Sequence, residues 1–245
     1  MAITVMRRYE MKYLLSGAQT EFLRRRLEGH MRLDEYGRTS VASLYYDTPD
    51  ARLIRASLEK PVFKEKLRLR SYGLASEDSP VYLELKRKYD GVVYKRRIRT
   101  TEDGARRFFG GGDLADGDAQ IRRELTFTRD HYRTLAPACL VIYDREAYFE
   151  PGGDLRLTID FRPRYRTEDL TLTSSMAGRP LLDEGWTVLE LKVQDAVPLW
   201  LCSILGEGRI RKSGFSKYGE AYLRQLAEQT PAAIPFPAPA FPGVA

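Results

Sequence analysis

The chain of 245 residues has little of what most catalytic centres are built from, with only two cysteines and two histidines. Cys139 and Cys202 are far apart and lack metal-ligand spacing, and His30 and His131 are the only donors that could join them, so a structural zinc centre is not expected. Both cysteines read as small core residues in a reducing compartment. The histidines fall in helical, arginine-rich stretches and read as surface residues, which leaves no histidine-based nucleophile system. Also missing are a G-x-x-x-x-G-K-[ST] loop, a dinucleotide glycine fingerprint after a strand and a G-x-S-x-G elbow. Gly110, Gly111 and Gly112 follow Phe108 and Phe109 rather than a strand, and read as a surface loop. No apolar run approaches the ~18 residues of a membrane span, and the arginines between Met1 and Tyr9 precede no long apolar segment. The expected location is cytoplasmic.

What the sequence does have is patterned charge. Forty Lys+Arg against thirty-four Asp+Glu give a net charge of +6, a modest excess that suits anionic partners. Its distribution says more than its sum. In Lys64-Glu65-Lys66-Leu67-Arg68-Leu69-Arg70 the side chains of a strand alternate, so Lys64, Lys66, Arg68 and Arg70 project one way while Phe63, Leu67 and Leu69 project the other.

Strand-like runs dominate the rest: 7–15, 41–47, 62–72, 80–88, 91–100, 140–149, 154–161 and 187–193. Asp90-Gly91 is a tight-turn signal that predicts a hairpin over 80–100. Ser16 is placed to cap a helix with Phe22, Leu23 and Leu27 facing the core, and 118–135, 195–205 and 217–228 read as further helices. The segment 171–178 reads as a loop, and 231–245 as a Pro/Ala-rich disordered tail. With no repeat and no clear linker, the expectation is one domain over 1–230 followed by the tail.

The ionic face is not confined to one strand. Glu84, Lys86 and Lys88 share a face, as do Lys95, Arg97 and Arg99 across the hairpin, Tyr143 with Arg145, and Glu190 with Lys192. Arg156, Thr158, Asp160 and Arg162 form another such set, and Arg8, Glu10 and Lys12 another. In an open sheet such faces are wetted; in a barrel with helices outside they line the interior. Cations two residues apart lie ~7 Å from each other and repel by roughly 2–2.5 kcal/mol per pair at an effective dielectric near 20, against about 0.6 kcal/mol in bulk water. The interior alternative therefore requires a polyanionic ligand, since Glu10, Glu84, Asp160 and Glu190 are too few to compensate. Those carboxylates suit a divalent ion such as Mg²⁺ or Mn²⁺, which bridges phosphate oxygens.

Arg8-Tyr9-Glu10-Met11-Lys12-Tyr13, Leu44-Tyr45-Tyr46-Asp47-Thr48, Lys66-Leu67-Arg68-Leu69-Arg70, Leu83-Glu84-Leu85-Lys86, Tyr143-Asp144-Arg145, Leu155-Arg156-Leu157-Thr158-Ile159-Asp160, Leu189-Glu190-Leu191-Lys192 and Phe215-Ser216-Lys217-Tyr218-Gly219 follow one another along the chain. In this order, over about residues 5–225, they resemble the vacuolar-transporter-chaperone (VTC) catalytic domain, the polyphosphate polymerase branch of the CYTH-like triphosphate tunnel metalloenzymes. The resemblance implies an α+β fold: an eight-stranded antiparallel closed tunnel β-barrel with helices packed outside. It implies Lys12, Arg68, Arg70, Lys86, Arg145, Arg156 and Lys217 as catalytic phosphate ligands. Lys66, Lys88, Arg97, Arg99, Tyr143, Lys212 and Ser216 would bind substrate, and Glu190, joined by Glu10 and Glu84, would hold Mn²⁺ or Mg²⁺.

Two positions depart from the pattern. Gly214 stands where eukaryotic members have a lysine, leaving Lys212 or Arg211 to reach in. Arg8 stands where the wider superfamily opens with glutamate, which suits the polymerase branch better than the hydrolase or cyclase branches. The implied activity is transfer of the ATP γ-phosphoryl group to a growing polyphosphate chain, with ATP and polyphosphate as partners. The resemblance also raises docking to a membrane partner that exports the polymer, as in eukaryotic relatives; oligomeric state is left open. The alternatives are a tunnel triphosphatase and a polyphosphate-binding module without catalysis. Nucleic acid is not expected as a partner, because no single-strand platform of interleaved aromatics is recognisable.

Overall fold

The computed structural model describes residues 9–59, 61–90 and 92–229. Arg8, Gly91 of the expected turn and the Pro/Ala-rich tail 231–245 lie outside the described residues. The strands are β1 (Tyr9–Leu15), β2 (Arg32–Asp47), β3 (Phe63–Tyr72), β4 (Val81–Tyr89), β5 (Val92–Thr100), β6 (Ala136–Phe149), β7 (Arg156–Arg166), β8 (Arg179–Pro180), β9 (Thr187–Val193) and β10 (Lys212–Ser213). The helices are α1 (Gly17–Leu27), α2 (Arg52–Leu58), α3 (Glu102–Phe109), α4 (Ala119–Tyr132), α5 (Leu199–Glu207) and α6 (Lys217–Gln229).

All strands join one antiparallel sheet in the order β10-β1-β9-β7-β6-β2-β3-β4-β5, with β8 on β7. The eight expected strands are all present, and β8 and β10 add two residues each. The closed barrel is not: among the described residues no ladder joins β5 to β1 or β10. The sheet nevertheless curls until its far ends touch through side chains, because Lys86 of β4 pairs with Glu10 of β1 at 2.5 Å.

Alternation explains the layers. Outward-facing Leu44, Leu67, Leu69, Leu83 and Leu85 form one cluster with Phe108 of α3 and Leu125 of α4. Tyr13, Leu15, Leu157, Ile159, Leu189 and Leu191 form another with Leu23 and Leu27 of α1 and Leu201 and Ile204 of α5. Each leucine fully withdrawn from water contributes about 1.5–3 kcal/mol, so these clusters hold the curled sheet in place. Glu65 is one of the ionic residues on this face, and its carboxylate accepts from Arg87 at 2.9 Å and Tyr132 at 2.7 Å.

Not every helix packs outside as expected. The inner face carries an apolar zone, Val41, Tyr45, Val141, Tyr143 and Val188, and Phe215 with Tyr218 and Ala221 of α6 cover it. Burying that zone draws α6 into the concavity.

The unforeseen helices are α2 and α3. A distant side chain caps α2: buried Asp47 accepts from the backbone N–H of Leu53 at 2.8 Å and of Ile54 at 3.0 Å, satisfying donors that a helix start leaves free. Thr101, with Glu102 and Asp103 behind it, caps α3 locally. β2 begins well before 41, and Arg162 is turned off the ionic face. A register slip beside Asp144 and a left-handed φ of 47° at Arg162 break the alternation, and Arg162 pairs on the outer face with Asp144 at 2.7 Å. Cys139 is buried but Cys202 is exposed, on α5.

Candidate functional site

Seven strands contribute ionic side chains to the concave face, arranged around four carboxylates. Glu84 is the centre of the β3–β5 bank. Its cross-strand neighbours are Arg68 and Arg97. Arg68 lies 2.7 Å and Arg70 3.8 Å from Oε2, while Lys95 lies 2.7 Å and Arg97 2.9 Å from Oε1. Burial works to raise the Glu84 pKa, but Arg68, Arg70 and Lys95 outweigh it and hold the carboxyl well below the usual range. Burial in turn lowers Lys95 to about 8. Arg68 also donates to Tyr45 Oη at 3.1 Å, and Arg70 to Ser43 Oγ and Tyr143 Oη at 3.2 Å.

Asp160, fully buried on β7, is the second centre. It accepts a bidentate pair from Arg145 at 2.6 and 2.8 Å and a short hydrogen bond from Lys217, at the start of α6. Burial opposes ionisation there, yet the two cations bring its pKa down to about 2. Tyr143 lies between the banks: Arg70 donates to its oxygen, and the Arg145 guanidinium and Lys217 ammonium lie 5.0 and 4.5 Å from its ring centre. Burial raises its pKa, but Arg145 and Arg70 prevail and bring it to about 8.

Glu190 sits in β9 directly opposite Lys12 of β1 and Thr158 of β7. Lys192 is 3.4 Å and Arg145 4.0 Å away. Despite burial, Lys192, Lys12 and Arg145 hold its carboxyl well below the usual range. Burial in turn lowers Lys12, with Lys217 and Lys86 adding to it. Lys66 has no carboxylate among its contacts. Its Nζ donates to Ser216 Oγ at 3.2 Å, and the same oxygen accepts from Gly219 N at 3.3 Å in the first turn of α6. Burial, then Lys12, Lys86, Lys64 and Arg68, lower the Lys66 pKa to about 7.

The curled sheet thus brings together Lys12, Lys66, Arg68, Arg70, Lys86, Arg97, Tyr143, Arg145, Ser216, Lys217, Glu10, Glu84 and Glu190. Lys88, Arg99 and Arg156 lie on the same face near strand ends, where they are exposed. Lys212 does not join them. It stands opposite Tyr13, which is packed in the outer cluster, so pairing puts Lys212 on the outside while Ser213, opposite Lys12, faces in. Lys64 donates to the Ser57 carbonyl at 3.4 Å, beside a groove of about 710 Å³ outside the sheet lined by α2, β3 and α4. The sequence reading named Asp160 only among the carboxylates suited to a divalent ion, not as a partner of Arg145 and Lys217, and did not single out Lys95 or Lys192 as site residues. Their alternation with Arg156, Arg97 and Glu190 was the available signal, but their partners come from other strands and from α6.

Glu10 and Glu190 are diagonal neighbours on β1 and β9, through Glu10↔Lys192 and Lys12↔Glu190. A pair of carboxylates completed by substrate oxygens is a donor set that suits Mg²⁺ or Mn²⁺. Glu84 does not fit, because four cations occupy its two oxygens. Among the described residues no group of three or more His, Cys, Asp or Glu is placed to share an ion, so a metal here would depend on phosphate ligands. Likewise no described helix is long and apolar enough to cross a membrane.

The sequence pattern of the VTC domain matches residues 7–225. No curated protein matches. Among solved structures, an adenylate-cyclase-like protein of Vibrio parahaemolyticus superposes with a TM-score of 0.51 at 12% identity, covering 89% of this chain and 98% of the other. An adenylyl-cyclase-like protein of Hippeastrum, described as having dominant triphosphatase activity, gives a TM-score of 0.48 at 19% identity, with coverages of 94% and 98%. With its sequence pattern matched from end to end of the curled sheet, the chain belongs to the VTC domain family.

Proposed function

We propose that the protein is a metal-dependent polyphosphate polymerase that transfers the terminal phosphoryl group of ATP to the end of a polyphosphate chain. The observation that carries this reading is the convergence of partly buried Lys and Arg side chains from β1, β3, β4, β6 and α6 on one concave face, in a VTC-family chain. Such a face is costly without a polyanion to fill it. In the transfer, the bond between the γ-phosphorus and the β,γ-bridging oxygen breaks and a terminal phosphate oxygen of the chain forms the new P–O–P bond. ADP leaves with the electron pair. The acceptor oxygen is already anionic, so no strong base is required.

Positioning and charge stabilisation carry most of phosphoryl transfer. Arg68, Arg70 and Arg145 offer planar forks to the chain, and Lys12, Lys86 and Lys217 offer point charges. Glu190 and Glu10 would hold a divalent ion, which would supply Lewis-acid neutralisation of the charge that develops in the transfer. Phosphate oxygens would replace Glu10, Glu84 and Asp160 as partners of these cations, which are thus held in place before substrate arrives. In this reading the trough works as a tunnel once filled.

A second reading, a tunnel triphosphatase, draws support from Lys66. An amine with a pKa of about 7, not paired with a carboxylate, is suited to take a proton from water. Purified protein incubated with ATP and Mn²⁺ separates the two. Long polyphosphate on a gel is the expected product, whereas orthophosphate alone would replace the polymerase by the hydrolase. Binding without turnover would leave only a polyphosphate-binding module.

A further inference from the structure

Thr158 has an unmet need at the most charged place in the protein. It is only 6% exposed, and its hydroxyl oxygen is buried with no hydrogen-bond partner. Buried polar atoms in folded proteins are nearly always paired, so an orphan of this kind points to a water or ligand that belongs beside it. Its direction is fixed by the sheet. Thr158 stands directly opposite Glu190 in the β7–β9 ladder, and opposite residues share a face with their Cβ atoms ~4.5–5.5 Å apart. On its other side it stands opposite Ala147 of β6. The row across β1, β9, β7 and β6 therefore reads Lys12, Glu190, Thr158, Ala147, with two small side chains beside the Glu190 carboxylate. The flanking inward positions on β7 carry Arg156 and Asp160 instead.

We propose that Thr158 is a positioning residue of the divalent-cation site at Glu190, its hydroxyl oxygen accepting a hydrogen bond from a water bound to the ion. The inference rests on the metal-dependent reading above and adds to it the residue that orients the hydration shell. Water on a divalent ion is a strong donor, and the short side chains of Thr158 and Ala147 lie on the side of Glu190 away from Lys12. Partners of this outer kind, when removed, weaken metal binding by ~10-fold or more.

The test is Mn²⁺ binding to the protein loaded with the non-hydrolysable analogue imidotriphosphate, followed by equilibrium dialysis with the analogue alone as the blank, so that no turnover is needed. Thr158→Val keeps the β-branched shape and loses only the hydroxyl, and is expected to bind Mn²⁺ about tenfold more weakly. Thr158→Ser keeps the hydroxyl and is expected to stay within about twofold of the wild type, with the same melting temperature. Thr158→Ala, a second way of deleting the hydroxyl, should match the valine variant and serves if that variant does not fold. Unchanged affinity in the valine and alanine variants overturns the inference, and so does an equal loss in the serine variant. Glu190→Gln separates the two levels: if it leaves Mn²⁺ binding intact, the metal assignment itself falls, whatever the threonine variants do.

Discussion

Lys86 and Glu10 meet at 2.5 Å although five strands stand between β4 and β1 in the sheet order. The pair ties together the two walls of a sheet that, among the described residues, no backbone ladder closes. It also occupies an inward-facing lysine with a carboxylate from the opposite wall, so the phosphate ligand must compete with it.

Neutralising Glu10 should therefore free Lys86. In metal-free buffer, Glu10→Gln is expected to bind inorganic triphosphate severalfold more tightly than the wild type, by titration calorimetry. The loss of folding stability should be small, ~0.5–1 kcal/mol, because both side chains are partly exposed. Weaker binding would mean that Glu10 holds Lys86 in the productive place rather than competing for it.

Glu84 should behave differently, because it is buried under Arg68, Arg70, Lys95 and Arg97. Glu84→Gln leaves those cations facing one another, and a cost of about 3–5 kcal/mol is expected for breaking a buried ionic group. Added triphosphate should restore part of the lost melting temperature, since it supplies the missing charge. A variant as stable as the wild type would show that the cations relax into water on their own.

Lys66 gives the binding reaction a pH dependence. Its pKa of about 7 in the free protein rises when a phosphate chain arrives, so binding takes up a proton where the amine was neutral. Affinity for triphosphate should fall as pH rises above about 7. At pH 8, calorimetry in buffers of different ionisation enthalpy should show close to one more proton taken up by the wild type than by Lys66→Met. Equal proton uptake in the two proteins would remove Lys66 from this role. The sign for folding is opposite: the charged amine is disfavoured in the folded state, so this residue adds stability to the free protein as pH rises from about 7 towards the ordinary lysine range.

Asp160 governs part of the acid limit. Its folded pKa of about 2 lies below the ordinary aspartate value of about 3.9, so its contribution is complete above about pH 4 and is lost as pH falls through about 2. Urea unfolding between pH 5 and pH 3 should show a shallower loss of stability in Asp160→Asn than in the wild type. Glu84, also held low, keeps the slope from vanishing.

The strands carrying the site were legible because alternation is local. Lys66, Arg68 and Arg70 share a face in any extended chain, and so do Glu190 and Lys192. Ser16 announced α1 through side-chain capping, also a local event, and Asp118 proves to cap α4 in the same way. Where local rules break, reading failed. Arg162 left the ionic face because of one left-handed residue and a register slip, and Lys212 went to the outer face because β10 pairs with β1 in a register that its two residues do not encode.

By itself, then, the sequence determined which strands have an ionic side and which family pattern they follow, since both depend on residue order alone. Only the tertiary structure decided which carboxylate neutralises which cation, that α6 enters the concavity to cover Tyr45, Tyr143 and Val188, and that the sheet closes through Lys86 and Glu10 rather than through a ladder. Those outcomes rest on curvature and packing, which bring together residues the chain keeps far apart.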